Sequence, residues 1–172
     1  MENRFILYVD ADSCPREIRQ IILRAVTKRE IPSLFIANRE LPDVVELEKR
    51  NLKTKGGFSL VTMIVVENKD DSADNKIVEL AQKNSIAITR DIPLADRLVS
   101  LGLTVLDDRG SVFTQQNIKE RLSLRNLMTK LRQDGLYIER TNALSSKEIQ
   151  GFANALDREL TKIEKHLKQK RV

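Results

Sequence analysis

The clearest indication of the fold lies near the start of the sequence, where residues 5–26 read FILYVDADSCPREIRQIILRAV. Its first part, residues 5–9, is a short apolar run typical of a strand buried on both faces. Helix signals follow at once, since Pro15 is typical of a helix start and the apolar residues of 18–25 keep helical spacing. A buried strand that leads directly into a helix predicts a β-α unit.

Similar alternation continues through the first two thirds of the sequence. Four further apolar stretches predict strands, at residues 34–37, 60–66, 86–89 and 103–106. Helical patterns separate most of them, but residues 39–57 are highly charged and end in Gly56-Gly57, so we interpret that segment as irregular or weakly helical. The alternation predicts an α/β fold with a mostly parallel sheet.

The last third of the sequence is helical only. Thr114 is expected to cap one helix and Ser123 a second, and a last helix is expected to start near Ser145. The second of these has four apolar residues on one face, which we expect to pack on the sheet: Leu124, Leu127, Met128 and Leu131. We therefore predict an α/β domain over residues 1–110 and a basic helical region over 111–172 packed on it.

Composition narrows the class of protein. The chain has 172 residues, of which 41% are hydrophobic, enough for one domain with an appendage. A single cysteine, Cys14, excludes a disulfide within the chain and a multi-cysteine zinc site, and a single histidine, His166, argues against Ser-His-Asp chemistry. The longest apolar run, residues 60–66, is far shorter than a membrane span, and the run at 5–9 leads into Asp10 rather than a cleavage site. We expect a cytoplasmic protein without a membrane partner.

Charge is unevenly distributed along the sequence. The net charge is +5, but residues 1–108 carry 16 Lys and Arg against 18 Asp and Glu, whereas residues 109–172 carry 14 against 7. A basic second part is typical either of a surface that binds a polyanion such as nucleic acid or of a solvated helical surface. Nothing in the sequence indicates an oligomer.

Acidic residues follow the ends of several predicted strands. Asp10 and Asp12 follow the first strand, Asp91 follows the fourth, and Asp74 opens the helix after the third. Open α/β sheets place their sites at the carboxyl ends of strands, so Asp10, Asp12 and Asp91 meet in one crevice if the first and fourth strands are neighbours.

Clustered carboxylates favour a hard divalent cation. Like charges raise one another's pKa, and Mg²⁺ or Mn²⁺ relieves that repulsion with the oxygen ligands it prefers. Such an ion lowers the pKa of bound water and neutralises a phosphodiester in the transition state. The pattern therefore predicts metal-dependent phosphoester hydrolysis.

Each acid except Asp10 also has a structural interpretation. Asp91 precedes Ile92-Pro93 and is a natural N-cap, Asp74 suits the first turn of a helix, and Asp12 suits the helix after Pro15. Asp10 adjoins the strand and lies too early to cap that helix. The catalytic interpretation therefore depends on the acids converging in space.

A dehalogenase-type phosphatase is an alternative class. Those enzymes also open with a hydrophobic strand and a DxD motif, here Asp10-Ala11-Asp12, and Thr89 could correspond to their second motif. They next need a lysine before a closing acidic pair, here Asp107-Asp108, and residues 90–106 contain none. Glycine-rich phosphate loops and dinucleotide fingerprints are absent from the sequence, and Cys14 is interpreted as a packing residue.

Five motifs in this order resemble the YaiI/YqxD family of bacterial proteins, which has been grouped with PIN-like nuclease domains. They are VDADSCP, the ADN of DDSADN, TRDIPLA, DRG and KERLSLRNLMTKLR, and the resemblance spans residues 5 to about 155. It implies a three-layer α/β/α sandwich and, through the PIN-like grouping, an acidic metal site that cleaves RNA. The three PIN-like acids correspond to Asp10, Asp74 and Asp91, and the residues that lie within the matched motifs include Asp12, Asn75 and Arg109.

Our first interpretation is therefore a metal-dependent nuclease acting on RNA. In it Asp10, Asp74 and Asp91 bind Mg²⁺ or Mn²⁺, and Asp12 is a further ligand or the base that orients water. The residues expected to hold the RNA backbone are Arg109, Arg121 and Arg125. The alternatives are a non-catalytic nucleic-acid-binding module and the small-molecule phosphatase.

Overall fold

A computed structural model describes residues 5–54, 56–57, 59–136 and 143–169, and within these ranges it contains six strands and six helices. The strands are β1 (Leu7–Asp10), β2 (Ser33–Ala37), β3 (Val61–Val65), β4 (Ile86–Ile88), β5 (Thr104–Leu106) and β6 (Val112–Phe113). The helices are α1 (Arg16–Arg29), α2 (Pro42–Thr54), α3 (Ser72–Leu80), α4 (Ile92–Ser100), α5 (Gln115–Gln133) and α6 (Ser146–Gln169). No helix within the described ranges is long and apolar enough to cross a lipid bilayer.

The strands that the structure describes form one sheet in the order β3-β2-β1-β4-β5-β6. Strands β1 to β5 are parallel, and β6 runs antiparallel to β5. The prediction of a mostly parallel α/β sheet is confirmed, as is the pairing of the first and fourth strands, in which Leu7 lies beside Ile86 and Val9 beside Ile88. β6 was not predicted, because two residues are too few for a periodic pattern, and it extends the sheet past residue 110.

Helices cover both faces of the sheet and form the predicted three-layer arrangement. One core cluster joins the sheet to α1, α2 and α6, and its apolar residues include Ile18, Val44 and Leu156. The second cluster joins the opposite face to α3, α4 and α5 through residues such as Ile77 and Leu98. The basic helical region therefore does not form one layer, since α5 and α6 lie on opposite faces of the sheet.

The interpretation of residues 39–57 as irregular or weakly helical is wrong, because Pro42–Thr54 form the regular helix α2. Pro42 occupies the start of the helix, where its missing N–H costs nothing. Leu41 and Val44 are buried, and Leu47 packs against the same core. This narrow apolar stripe lies within a highly charged stretch, which hid it in the sequence.

The prediction of two helices after residue 113 is also wrong, because α5 runs unbroken through Ser123. Thr114 caps it as expected, with a reciprocal pair of hydrogen bonds between Thr114 and Asn117. The apolar face expected to pack on the sheet is largely open, since Leu124 is 53% exposed and Leu127 is 52% exposed. α5 contacts α4, and its buried residue is Ile118, near its start.

α6 starts where the sequence predicted. The backbone N–H of Ser145 donates to the Glu148 carboxylate, and the backbone N–H of Glu148 donates to Oγ of Ser145. Arg29, at the end of α1, forms ion pairs with Asp157 and Glu164 of α6. α6 thus closes the core over α1 with both apolar and charged contacts.

Candidate active site at the carboxyl edge of the sheet

The predicted site lies where the strand order reverses direction. From β1 the chain adds β2 and β3 on one side, and it then returns through α3 to place β4 and β5 on the other side. Such a switch point leaves a crevice outside the carboxyl ends of the two central strands. Asp10 is the last residue of β1, and Asp91 comes shortly after β4.

Asp10 is a buried carboxylate with fixed orientation, only 6% exposed. Its Oδ2 accepts hydrogen bonds of 2.7 Å from the hydroxyls of Ser13 and Thr89. Burial raises the pKa of Asp10, the two hydrogen bonds lower it, and the charges of Asp12 and Asp91 raise it, with a net upward shift. Oδ1 has no hydrogen-bond donor among the described residues, so one oxygen fixes the rotamer and the other is available to a ligand.

Thr89 is a positioning residue, a role that the sequence did not indicate, since there Thr89 was considered only as a motif residue of the phosphatase alternative. Besides donating to Asp10, its hydroxyl accepts a 3.0 Å hydrogen bond from the backbone N–H of Asp91. One side chain therefore connects the two acids that follow the central strands. The available signal was a hydroxyl directly after a buried strand that neighbours the strand carrying Asp10.

Asp91 is the N-cap of α4, as its structural interpretation predicted. Its Oδ1 accepts a 2.8 Å hydrogen bond from the backbone N–H of Leu94. The cap uses one carboxylate oxygen, and the charge of Asp91 still raises the pKa of both Asp10 and Asp74. Asp91 is therefore a cap and also a member of the acidic group.

Asp74 is the acid of this group whose pKa is raised by three neighbouring carboxylates as well as by burial. It lies in the first turn of α3, after Asp71 in a left-handed backbone conformation. Its pKa is raised from 3.8 to about 6, first by burial and then by the charges of Asp91, Asp10 and Asp71. The structure thus brings Asp10, Asp74 and Asp91 close enough for each charge to oppose ionisation of Asp74.

Asp12 is exposed and bonded to the end of β2. Its Oδ2 accepts a 2.7 Å hydrogen bond from the backbone N–H of Asn38, and the Asn38 amide in turn donates to Asn68. Asp12 therefore connects the carboxyl ends of β1 and β2.

A cavity of about 190 Å³ adjoins these carboxylates. It is small and open, and its lining is mostly polar, with Lys69 beside Asp10, Asp12 and Asp74 among the lining residues. The remaining lining residues are Asn38, Asp71, Ser72 and Ala73. A volume of this size suits a hydrated ion and part of a phosphate group better than a whole nucleotide.

The chemistry of this donor set fits Mg²⁺ or Mn²⁺. Carboxylate oxygens are the ligands that these ions prefer. The pKa values of Asp10 and Asp74 are raised first by burial and then by neighbouring carboxylates, and a bound cation would oppose both effects. Within the described residues, no three Asp, Glu, His or Cys side chains are already arranged around one point. Mg²⁺ binds through one or two carboxylates and keeps several waters, so it does not require such a preformed set.

Two of the three arginines expected to contact RNA form ion pairs within the fold. Nε of Arg109 lies 3.1 Å from Glu148, and a nitrogen of Arg121 lies 3.5 Å from Asp107. The Arg121 guanidinium also stacks over the ring of Phe113, at 4.9 Å from its centre. Arg125 is exposed on α5.

Arg90 and Asp108 form a further pair beside the site that sequence reasoning did not identify. Nε of Arg90 lies 3.1 Å from Oδ2 of Asp108, whose side chain is 7% exposed. Burial raises the pKa of Asp108, while the Arg90 charge lowers it, with a net upward shift. Arg90 lies between Thr89 and Asp91, so the pair brings a cation to the carboxyl end of β4.

Two other candidate groups have structural roles. Oδ1 of Asp107 accepts the backbone N–H groups of Arg109 and Ser111 and so closes the turn before β6. Cys14 is buried, and its burial raises the pKa of the thiol to about 12, so it stays protonated at neutral pH. The interpretation of Cys14 as a packing residue agrees with this burial.

Comparisons with known proteins give a consistent result. A family model described as "Uncharacterized BCR, YaiI/YqxD family" matches residues 8–162. A UPF0178 protein from Treponema denticola is 46% identical over 156 residues, which are 91% of this chain and 92% of that protein. A UPF0178 protein from Myxococcus xanthus is 41% identical over 159 residues, which are 92% of this chain and 96% of that protein. No solved protein structure shows a significant match.

The fold and the site together define the class: an α/β protein whose mostly parallel sheet carries a group of coupled carboxylates at its switch point. Within that class, the family match covers most of the chain, and the chain belongs to the YaiI/YqxD family. The resemblance drawn from the sequence motifs is confirmed.

Proposed function

We propose that this protein is a cytoplasmic, metal-dependent nuclease of PIN-like type that hydrolyses phosphodiester bonds in RNA. The observation that carries the proposal is that Asp10, Asp12 and Asp74 line one cavity at the switch point of the sheet, and that the Thr89 hydroxyl joins Asp10 to the backbone of Asp91. Mutually repelling carboxylates in a crevice are costly unless they bind a cation or take part in proton transfer, which makes such a group a candidate functional site.

The carboxylates have distinct roles in this proposal. Asp10, Asp74 and Asp91 hold Mg²⁺ or Mn²⁺, which supplies an activated water and neutralises charge on the phosphodiester. Asp12 is a further ligand or the base that orients the attacking water. Ser13 and Thr89 hold the Asp10 carboxylate in one rotamer, so that its free oxygen keeps a fixed direction.

Contacts with the RNA backbone fall to arginines at the same edge of the sheet. Arg109, Arg121 and Arg125 remain the residues proposed for this role from the sequence. The guanidinium groups of Arg109 and Arg121 would exchange their ion pairs with Glu148 and Asp107 for phosphate oxygens. Such an exchange keeps the two arginine charges paired but takes these partners from the carboxylates of Glu148 and Asp107.

A second candidate function is a non-catalytic nucleic-acid-binding module. It is favoured by the absence, within the described residues, of three acids already arranged as ligands around one point. In that case the acidic crevice would bind no catalytic ion, and the basic residues alone would carry the function.

Activity of the purified protein separates the two candidates. The substrates are single-stranded RNA, single-stranded DNA and p-nitrophenyl phosphate, each with Mn²⁺ or with EDTA. We expect RNA cleavage with Mn²⁺ only, and its loss in Asp10→Asn, which removes a ligand charge but keeps an oxygen that accepts from Ser13 and Thr89. Asp134→Asn removes an exposed charge at the end of α5 and is the matched control, with activity unchanged.

Thermal unfolding with Mn²⁺ gives a readout that does not depend on activity. A ligand that binds only the native state raises the melting temperature, so Mn²⁺ should stabilise the wild type and Asp134→Asn, and stabilise Asp10→Asn much less. Equal stabilisation of all three proteins would show that Asp10 is not a ligand. RNA binding without cleavage by the wild type would favour the binding module, and hydrolysis of p-nitrophenyl phosphate alone would favour a phosphatase.

A further inference from the structure

A cavity larger than the acidic crevice lies in the groove between α1 and α2. Its volume is about 670 Å³, and it shares no lining residue with the acidic crevice. We call it the α1–α2 groove; its lining residues from α1 are Arg16, Gln20, Leu23, Arg24, Thr27 and Lys28, and from α2 Asp43, Glu46, Leu47 and Arg50.

The groove contains cations that form no ion pair with the described part of the chain. Arg16, Arg24 and Lys28 are exposed and have no ion-pair or hydrogen-bond partner for their side chains there. The two acids in the lining are already paired, because Asp43 accepts from Arg19 and Gln20 and Glu46 pairs with Arg50. An anion that enters the groove therefore meets three unpaired cations.

The spacing of these cations matches a chain of charges rather than a single one. Arg16, Arg24 and Lys28 lie eight and four residues apart on one side of α1, so they span about 18 Å at 1.5 Å per residue. One phosphate group cannot reach across that length, whereas the backbone of a strand presents a charge every few ångströms.

The position of the groove connects it to the crevice. α1 begins at Arg16, shortly after Asp10 and Asp12, and α2 begins shortly after Asn38, so both helices start at the carboxyl edge of the sheet. Its end at Arg16 and Asp43 therefore lies at the same edge as the carboxylates, and its other end leads away along α1.

We infer that the α1–α2 groove binds the phosphate backbone of a single-stranded nucleic acid, and guides it to or from the acidic crevice. The inference rests on the proposed function in that it assigns the path of the same substrate. The lining residues that the structure describes are charged, polar or aliphatic, so they contact phosphates rather than stack on bases, and phosphate contacts carry no sequence information. The groove also takes a strand without breaking an ion pair, unlike the sites at Arg109 and Arg121.

A charge-matched pair of double variants tests this inference. Arg24→Gln with Lys28→Gln removes two groove cations that lie well along α1 from the carboxylates. Lys49→Gln with Lys53→Gln removes two exposed cations of α2 that do not line the groove and have no partner in the described residues. Net charge falls equally in both, so general electrostatic attraction is the same.

Binding is measured in EDTA with an oligouridylate of about a dozen nucleotides, over a series of salt concentrations. Each phosphate contact contributes about 0.7 to the slope of log affinity against log salt on single strands, so we expect the groove variant to lose about 1.4 of that slope. The α2 control should keep the wild-type slope. Uridine monophosphate and a duplex of the same length should compete poorly with the single strand.

The outcomes separate this inference from the proposed function. If the groove variant keeps the wild-type slope, or if uridine monophosphate competes as well as the strand, the groove does not bind a nucleic-acid backbone. If the groove variant loses slope while the wild type shows no hydrolysis with Mn²⁺, the inference stands and the nuclease proposal fails. If both double variants cleave RNA equally fast with Mn²⁺ and show equal slopes of log affinity against log salt, the groove inference is wrong and the nuclease proposal stands.

Discussion

Asp91 has two roles that use different atoms of one carboxylate. Oδ1 caps α4 through the backbone N–H of Leu94, and no described residue donates to Oδ2. Asn caps helices about as well as Asp, so the capping role requires an oxygen but no charge. The capping role therefore does not explain why residue 91 is charged. The charge of Asp91 also raises the pKa of Asp74.

The raised pKa of Asp74 predicts that the difference in stability between Asp74→Asn and the wild type depends on pH. Its pKa is about 6 in the native state and 3.8 for the unperturbed group, so the native state binds the proton more tightly than the unfolded chain does. The contribution of Asp74 to native stability is therefore lost as pH rises from about 4 to about 6. Asp74→Asn should be about as stable as the wild type near pH 4 and more stable near pH 7.5, without divalent ions.

Urea unfolding in EDTA at several pH values measures this difference. Asp70→Asn, which removes an exposed charge before α3, is the control and should follow the wild type at every pH. A stability difference between Asp74→Asn and the wild type that stays constant across the pH range would show that the pKa of Asp74 is not raised in the native state.

Sequence alone could place the acids but not their supports. Asp10 and Asp91 follow apolar runs that any strand prediction detects, so their position at the carboxyl edge of the sheet could be predicted. The hydrogen bonds of Thr89 to Asp10 and of Asn38 to Asp12 join residues from different strands, and they exist only once the register is set. The α1–α2 groove likewise depends on the packing of two helices, one of which was not predicted.

At the scale of elements, α5 shows why helical patterning can mislead. Its apolar face after Ser123 has the spacing of a core-facing helix, but the helix continues past the edge of the structure it packs on. Leu124 and Leu127 are therefore half exposed, while Ile118 is 1% exposed on the same helix. Helical spacing of apolar residues shows that one face of a helix is apolar, but it does not show which part of the molecule covers that face.

This difference along α5 predicts unequal effects of substitution. Leu124→Gln with Leu127→Gln should change the free energy of unfolding by less than about 1 kcal/mol, because both side chains already contact water. Ile118→Ala should cost about 2–5 kcal/mol, because it leaves a cavity in the core. Urea unfolding of the two variants measures both; an equal loss would mean that the leucines are covered in solution.

At the scale of the whole molecule, the turn before β6 packs closely against α6. Gly110 has φ +86°, and a Cβ there would lie 2.8 Å from the carbonyl oxygen of Gly151 and 2.9 Å from Cβ of Ala155. Only glycine lets α6 approach the turn this closely. The DRG motif therefore helps to hold α6 on the sheet.

Gly110→Ala should destabilise the protein by about 2–4 kcal/mol, since backbone strain adds to a clash with α6. Gly135→Ala is the matched control, because Gly135 has φ +80° but no atom within 4 Å of the added Cβ. It should show the strain alone, about 1–2 kcal/mol. Thermal and urea unfolding compare the two variants, and equal losses would show that the contact with α6 contributes nothing.

The packing of α1 against α6 also has a consequence for folding during translation. Arg29 and Glu164, which form an ion pair, are 135 residues apart in the chain. At about 5–20 residues per second, roughly 7–27 seconds of translation separate these two residues. During that interval the apolar side of α1 that Phe152 and Leu156 later cover is open to water in the nascent chain. That side of α1 can therefore reach its native packing only after α6 has been made.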